Sequence, residues 1–209
     1  MVIYDLSRLG HWRLREKGWP VKEPFPKEGS LYAMMDEICS HILDIVANSV
    51  AAKATLITIE IDQDKGTNIL SLRIIDNGVG MDEETIKKVL DPFYTTKIGK
   101  KVGLGIPLVK GTAETTGGTF RLSSTVGQGT ELFVSFDLNH PDVPPLGNVK
   151  DTILVIVVGN PDTDFFFRIT TDTKEFILDT KEIRTLLDGV PINHPEVITF
   201  LSNYIDENM

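Results

Sequence analysis

The chain reads as an α+β domain followed by a small C-terminal α/β appendage. Three observations predict this. Between residues 30 and 138, helical spacing of apolar residues alternates with period-two strand patterns. Two of the strand pairs are each joined by a short turn rich in Gly, Asn or Lys. Asn139 to Gly147 (NHPDVPPLG) then forms a proline-rich break, after which strands and helices resume. The expected organisation is an arm over 1–29, a main domain over 30–138, a linker over 139–147 and an appendage over 148–209.

Taken in order, the arm is rich in Gly, Pro and charge, and its Leu6, Leu9, Trp12 and Trp19 are apolar enough to dock. They either cover the chain's own core or contact a partner. Leu31 to Ala52 is helical, with Ser30 as N-cap and Met34, Ile38, His41, Ile42, Ile45, Val46 and Ser49 at three- and four-residue steps. Thr55 to Gln63 and Ile69 to Asp76 are strands across the turn Lys65 to Asn68. Asp82 caps a short helix through Leu90, with Glu83 and Glu84 in its favourable first turn. A loop over Pro92 to Lys101 leads to a helix over Ile106 to Thr116, stopped by Gly117-Gly118. Thr119 to Ser124 and Glu131 to Asp137 are strands around the turn Val126 to Gly129. Past the linker, Val149 to Val158 suits either a buried strand or a helix; Asn148 as N-cap and Gly159-Asn160-Pro161 as stop favour the helix. Asp164 to Thr170 and Glu175 to Asp179 form a hairpin, and helices follow over Thr180 to Leu187 and Pro195 to Glu207.

Composition narrows the function classes. The 209 residues are 41% hydrophobic and 24% charged, enough for a core without staples. A single cysteine, Cys39, excludes an intramolecular disulfide and reads as a small apolar residue on a buried helix face. No leader pattern opens the chain, and apolar runs such as Ile153 to Val158 are too short to span a bilayer. A cytoplasmic protein without membrane contact is expected. The net charge of −9 argues against a general nucleic-acid binder, which would carry a basic face. It also means that an anionic ligand must be held by backbone N–H groups, a metal ion and a few placed cations.

Four ordered segments carry the chemistry: DIVANS (Asp44 to Ser49), DNGVGMD (Asp76 to Asp82), DPFYTTK (Asp91 to Lys97) and GLGIPL (Gly103 to Leu108). In the second, a strand ends on a carboxylate, and Gly78 and Gly80 let the backbone turn and approach a flat ligand. Asp76 would accept a hydrogen bond from an exocyclic amine, the group that distinguishes adenine from guanine. Alone, the segment also suits a hairpin turn with an Asn-Gly signal. In the fourth, Gly103, Leu104 and Gly105 open a helix at Ile106, whose N-terminal N–H groups suit a phosphate. Lys97 is the cation placed to meet the terminal phosphate; Lys100 and Lys101 read as a solvated loop. Asp44 and Asn48, four residues apart, leave one helix face together. Asn48 offers a neutral oxygen to Mg²⁺, and Asp44 could hold a water or accept its proton. His41 reads as a buried, satisfied histidine rather than a catalytic one. Together the segments describe a pocket for ATP with Mg²⁺.

In this order the segments resemble the histidine-kinase-like ATPase superfamily of sensor histidine kinases, DNA gyrase B subunits, mismatch-repair ATPases and a heat-shock chaperone. DIVANS looks like the N box, DNGVGMD the first glycine box, DPFYTTK the F box and GLGIPLVKG the second glycine box, over Leu31 to Leu138. The spelling GVGMDEETIKKVLDPFYTTK is most similar to the catalytic domains of sensor kinases of the nitrogen-regulation type. The resemblance implies a two-layer α/β sandwich, the Bergerat fold, with a mixed sheet covered on one face by helices. It adds Met81, Phe93, Thr96, Leu104 and Ile106 to the nucleotide contacts and puts Thr130, in GQGTELFVSF, near the adenine. It also implies a loop from Phe93 to Gly103 that closes over the phosphates. Asp44 occupies the position where the ATPase members carry a water-activating glutamate. No two-helix hairpin with a phosphoacceptor histidine precedes the N box, so the expected activity is transfer of the γ-phosphate to a partner protein. A slow ATPase or nucleotide-gated switch is the alternative. The arm and the appendage are the candidate surfaces for a homodimer.

Overall fold

The computed structural model describes residues 37–91 and 105–209. Its elements are α1 (Ile38–Ala51), β1 (Leu56–Asp64), β2 (Ile69–Asp76), α2 (Glu83–Val89), α3 (Gly105–Thr115), β3 (Phe120–Thr125) and β4 (Gly129–Asp137). After the proline-rich stretch come α4 (Val149–Gly159), β5 (Asp164–Thr171), β6 (Glu175–Asp179), α5 (Thr180–Leu187) and α6 (Pro195–Asn208). The strands form one six-stranded sheet in the order β3-β4-β2-β1-β5-β6. All neighbours are antiparallel except β1 and β5, which run parallel with Ile59 opposite Phe167. The sheet is therefore mixed, as the resemblance implies.

Strand periodicity decides which face is covered. Ile57, Ile59 and Ile61 of β1, Leu70, Leu72 and Ile74 of β2, and Phe165, Phe167 and Ile169 of β5 alternate onto one buried face. There they join Ile38, Ile42, Ile45 and Val46 of α1, Val109 and Ala113 of α3, Ile153, Ile156 and Val157 of α4, and Val197, Leu201 and Ile205 of α6 in one continuous core. The residues between them turn to the other face, where Arg73 bridges Glu60 and Glu131, and Arg168 bridges Glu60 and Glu175. One apolar face and one charged face make the two-layer arrangement.

The proline-rich stretch does more than connect. Glu37 at the N-cap of α1 offers no side-chain bond. Instead, the carbonyls of Pro145 and Leu146 accept the N–H groups of Ile38 and Cys39 at 3.0 and 2.9 Å. A helix start needs such acceptors for its unpaired donors. Gly147, at φ +87°, comes so close that a Cβ there would lie 2.4 Å from Glu37 Oε2. The expected cap at Ser30 lies outside the described residues. Beyond this stretch, α4 forms as Asn148 caps it, and β5 and β6 extend the sheet of the main domain. A second difference matters for the site: β4 begins at Gly129, two residues earlier than the sequence pattern indicates, so Thr130 is a strand residue. Its pairing with Asp76 and with Ser124 brings it into the ladder.

Candidate functional site

The C-terminal end of β2 is the centre of the site. Asp76 closes the strand with its side chain on the helix-covered face, only 8% exposed. Its two oxygens are both engaged: Oδ2 accepts the Ser49 hydroxyl of α1 at 2.6 Å, and Oδ1 accepts the Gly78 N–H at 2.9 Å. A carboxylate carries about four lone-pair sites, so acceptor capacity remains for a ligand. Asn77, next in sequence, turns the other way and bonds the N–H groups of Thr55 and Leu56 through Oδ1. That clamp holds the start of β1 beside the end of β2.

The glycines are there because other backbone is in the way. A Cβ on Gly78 would lie 2.7 Å from the Ala52 carbonyl oxygen. Gly80 sits at φ +66°, where a Cβ would meet the Thr125 carbonyl oxygen at 2.0 Å. Gly129, at φ +99°, would collide with the Asp76 carbonyl oxygen at 1.9 Å. These two positions need both the left-handed region and the missing side chain. Met81 is half-buried, and its N–H donates to Ser124 Oγ at 2.8 Å. Thr130 lies opposite Asp76, with its Oγ1 at 2.9 Å from the same Ser124 hydroxyl.

The second end of the site lies where α1 meets α3. A Cβ on Gly105, the first residue of α3, would stand 3.0 Å from Asp44 Cβ and 3.4 Å from Asp44 Oδ2. The exposed Asp44 carboxylate thus lies against a helix N-terminus, with half-buried Asn48 one turn further along α1 towards Ser49 and Asp76. Neither Asp44 nor Asn48 makes a side-chain hydrogen bond among the described residues. Ile106 packs against the core beside α1. His41 is buried at 6% exposure; burial pushes its imidazole below the ordinary value, with the nearby Asp44 carboxylate opposing. Cys39 is buried too, and burial pushes its thiol up.

The structure thus brings Asp44, Asn48 and Gly105 together at one end, and Asp76, Gly78, Gly80, Met81 and Thr130 at the other. Phe93, Thr96, Lys97, Gly103 and Leu104 lie outside the described residues. Sequence reading missed three participants. Ser49 closes the DIVANS segment and the helical stripe but had no role of its own in that reading, yet a hydroxyl on a core stripe was a signal that something polar faces it. Asn77 read as half of a turn signal. Ser124 had no signal beyond its position at a strand end. Among the described residues no group of His, Cys, Asp and Glu side chains could hold a metal on its own, and no helix is long and apolar enough to cross a membrane.

The family described as "Histidine kinase-, DNA gyrase B-, and HSP90-like ATPase" matches residues 27–140, more than half of the chain. The chain is 32% identical over 99 residues to the sensor histidine kinase YxdK of Bacillus subtilis, which covers 44% of this chain and 30% of the relative. It is 43% identical over 56 residues to the sensor kinase CckA of Brucella abortus, covering 26% of this chain and 6% of the relative. The chain therefore spans less than a third of the length of either. Among solved structures, the N-terminal domain of a DNA repair protein aligns with a TM-score of 0.48 at 19% identity, covering 70% of this chain and 53% of the other.

Proposed function

The chain belongs to the histidine kinase-, DNA gyrase B- and HSP90-like ATPase family and carries its ATP-binding, kinase-type domain, and on that premise we propose that it binds Mg-ATP and passes the γ-phosphate to a partner protein. The observation that carries the reading is the pairing of two chemically distinct ends in one site. Asp76 keeps free acceptor capacity at a buried strand end, while the Asp44 carboxylate rests against the first residue of α3. The residues fit the nucleotide: Gly78, Gly80 and Gly129 let the surrounding backbone close tightly around the end of β2, and the buried Asp76 there accepts where a 6-amino group donates.

In this reading Asp76 and Thr130 take the base, and Gly78, Gly80 and Met81 shape the wall beside it. The N-terminus of α3 receives phosphate through N–H groups and dipole, with Lys97, Thr96, Gly103 and Leu104 contributing from the preceding segment. Asn48 supplies a neutral oxygen to Mg²⁺, whose chemistry is to neutralise charge on the phosphate oxygens. Asp44 orients the attacking group and receives its proton. Most of the catalytic effect is then positioning and charge stabilisation. The slow-ATPase reading has one observation in its favour: Asp44 is exposed, so water can reach the same carboxylate.

The test is incubation with γ-labelled ATP, with and without cell extract. Label on another protein supports transfer. Label appearing only in free phosphate supports the ATPase, and label retained in ATP refutes both.

A further inference from the structure

At the end of the sheet where β2, β4 and β3 lie side by side, Asp76 is opposite Thr130 and Thr130 is opposite Ser124. Directly paired residues share a face, so the three side chains form one polar row across three strands. Ser124 is the hub of the row. Its Oγ accepts the Met81 N–H at 2.8 Å, contacts the Gly129 carbonyl oxygen at 2.8 Å and lies 2.9 Å from Thr130 Oγ1.

A hydroxyl has one proton and two lone pairs. The Gly129 carbonyl can only accept, and the Met81 N–H can only donate. All three contacts are hydrogen bonds at once in a single arrangement: Ser124 gives its proton to Gly129, and Thr130 gives its own proton to Ser124. Thr130 then has lone pairs to offer and no proton. Asp76, its neighbour, likewise presents only acceptor capacity. Cross-strand neighbours have Cβ atoms about 5 Å apart, a spacing that suits the two N–H bonds of one amino group.

Resting on the adenine assignment above, we propose that Ser124 is a specificity-determining positioning residue. By holding the Thr130 proton, it fixes Thr130 as an acceptor beside Asp76, so that the row accepts a 6-amino purine and refuses a 6-oxo purine. An oxo group would set lone pairs against lone pairs, and polar groups left unmatched in a buried site give strong discrimination.

The experiment measures ATP and ITP affinity by calorimetry on the 209-residue chain and its variants. The wild type prefers ATP. In Ser124→Ala the Thr130 proton is released and can serve the 6-oxo group, so the ATP-over-ITP ratio falls about tenfold, the worth of one hydrogen bond. Ser124→Thr keeps the hydroxyl and restores the ratio. In a Thr130→Val background, Ser124→Ala leaves the ratio unchanged. A role confined to holding the Met81 backbone would weaken both nucleotides equally and leave the ratio alone, and that result overturns the proposal. A wild type that binds ITP as well as ATP overturns the adenine assignment itself, which is a separate outcome.

Discussion

Replacing Asp76 by Asn tests the base-binding end without dismantling it. In the folded chain Asp76 Oδ1 accepts the Gly78 N–H at 2.9 Å and Oδ2 accepts the Ser49 hydroxyl at 2.6 Å. Asparagine has the same shape, with one acceptor oxygen and one NH₂ group. Its oxygen can keep the Gly78 N–H, and its NH₂ can donate to Ser49 Oγ. The serine proton then passes to the carbonyl one turn back in α1. No buried group loses its partner, so D76N should cost about 1 kcal/mol of stability or less. For a chain of this size that lowers Tm by about 2–4 °C. The ligand side is different. The second NH₂ proton now faces the place where a 6-amino group donates, and a hydrogen bond to a charged acceptor, worth about 1.5–3 kcal/mol, is lost. At 1.4 kcal/mol per tenfold, ATP affinity should fall about 10- to 100-fold. Calorimetric titration with ATP, alongside thermal unfolding of the same sample, reads both quantities. A D76N chain that unfolds at the wild-type temperature and binds ATP within a factor of two of wild type would refute the assignment of Asp76 to the base.

Gly129→Ala should be far more damaging than its size suggests. A left-handed φ and a 1.9 Å approach to backbone cannot be relieved by moving a side chain, so a loss of about 3 kcal/mol or more is expected. Scanning calorimetry should show Tm lower by at least about 6 °C. His41 predicts a pH dependence. Burial lowers its folded pKa below the ordinary 6.5, so above that pH both states are neutral and nothing is gained or lost. As pH falls through 6.5 the unfolded chain takes the proton first, and stability declines by at most about 1.4 kcal/mol per pH unit. Urea titrations at pH 7.5 and 5.5 should show this decline reduced in His41→Leu; an unchanged decline would remove His41 as its source. Asp44→Asn should leave ATP affinity within about threefold while phosphate release or transfer falls about 100-fold or more. Equal turnover in the D44N variant would exclude Asp44 as the proton acceptor.

The elements that build the site were legible because local chemistry specified them. Asp82 caps α2 through the Thr85 N–H and Asn148 caps α4 through the Asp151 N–H, both as their positions in sequence imply. The alternation in ILSLRIID fixes which face of β2 is buried, and hence that Asp76 turns inward. What sequence could not supply were relations between segments. Nothing local to Pro145 and Leu146 announces that their carbonyls will cap α1. Nothing in DFFFRITT specifies a parallel partner, because parallel pairing is made by a long crossover and not by a turn. Ser49 and Ser124 belong to the same class. Each is an unremarkable residue in its own element, and its role exists only once Asp76 or Thr130 has arrived from elsewhere.

On the proposed function, the two ends of the site, one for the base and one for the phosphates, are built on opposite principles. At the base end every polar group has a partner before any ligand arrives: Asp76 holds two donors, Ser124 makes three contacts, and Gly80 and Gly129 lie directly against backbone. Such an end is pre-organised, and a mismatched base finds no group able to rotate to meet it. At the phosphate end Asp44 is exposed, and neither its carboxylate nor the Asn48 amide is bonded among the described residues. In a chain of net charge −9, a carboxylate beside a helix N-terminus opposes a triphosphate until a cation is shared between them. On the proposed function, recognition is therefore stored in the sheet, whereas the fate of the terminal phosphate would depend on what a metal ion and a partner bring to Asp44.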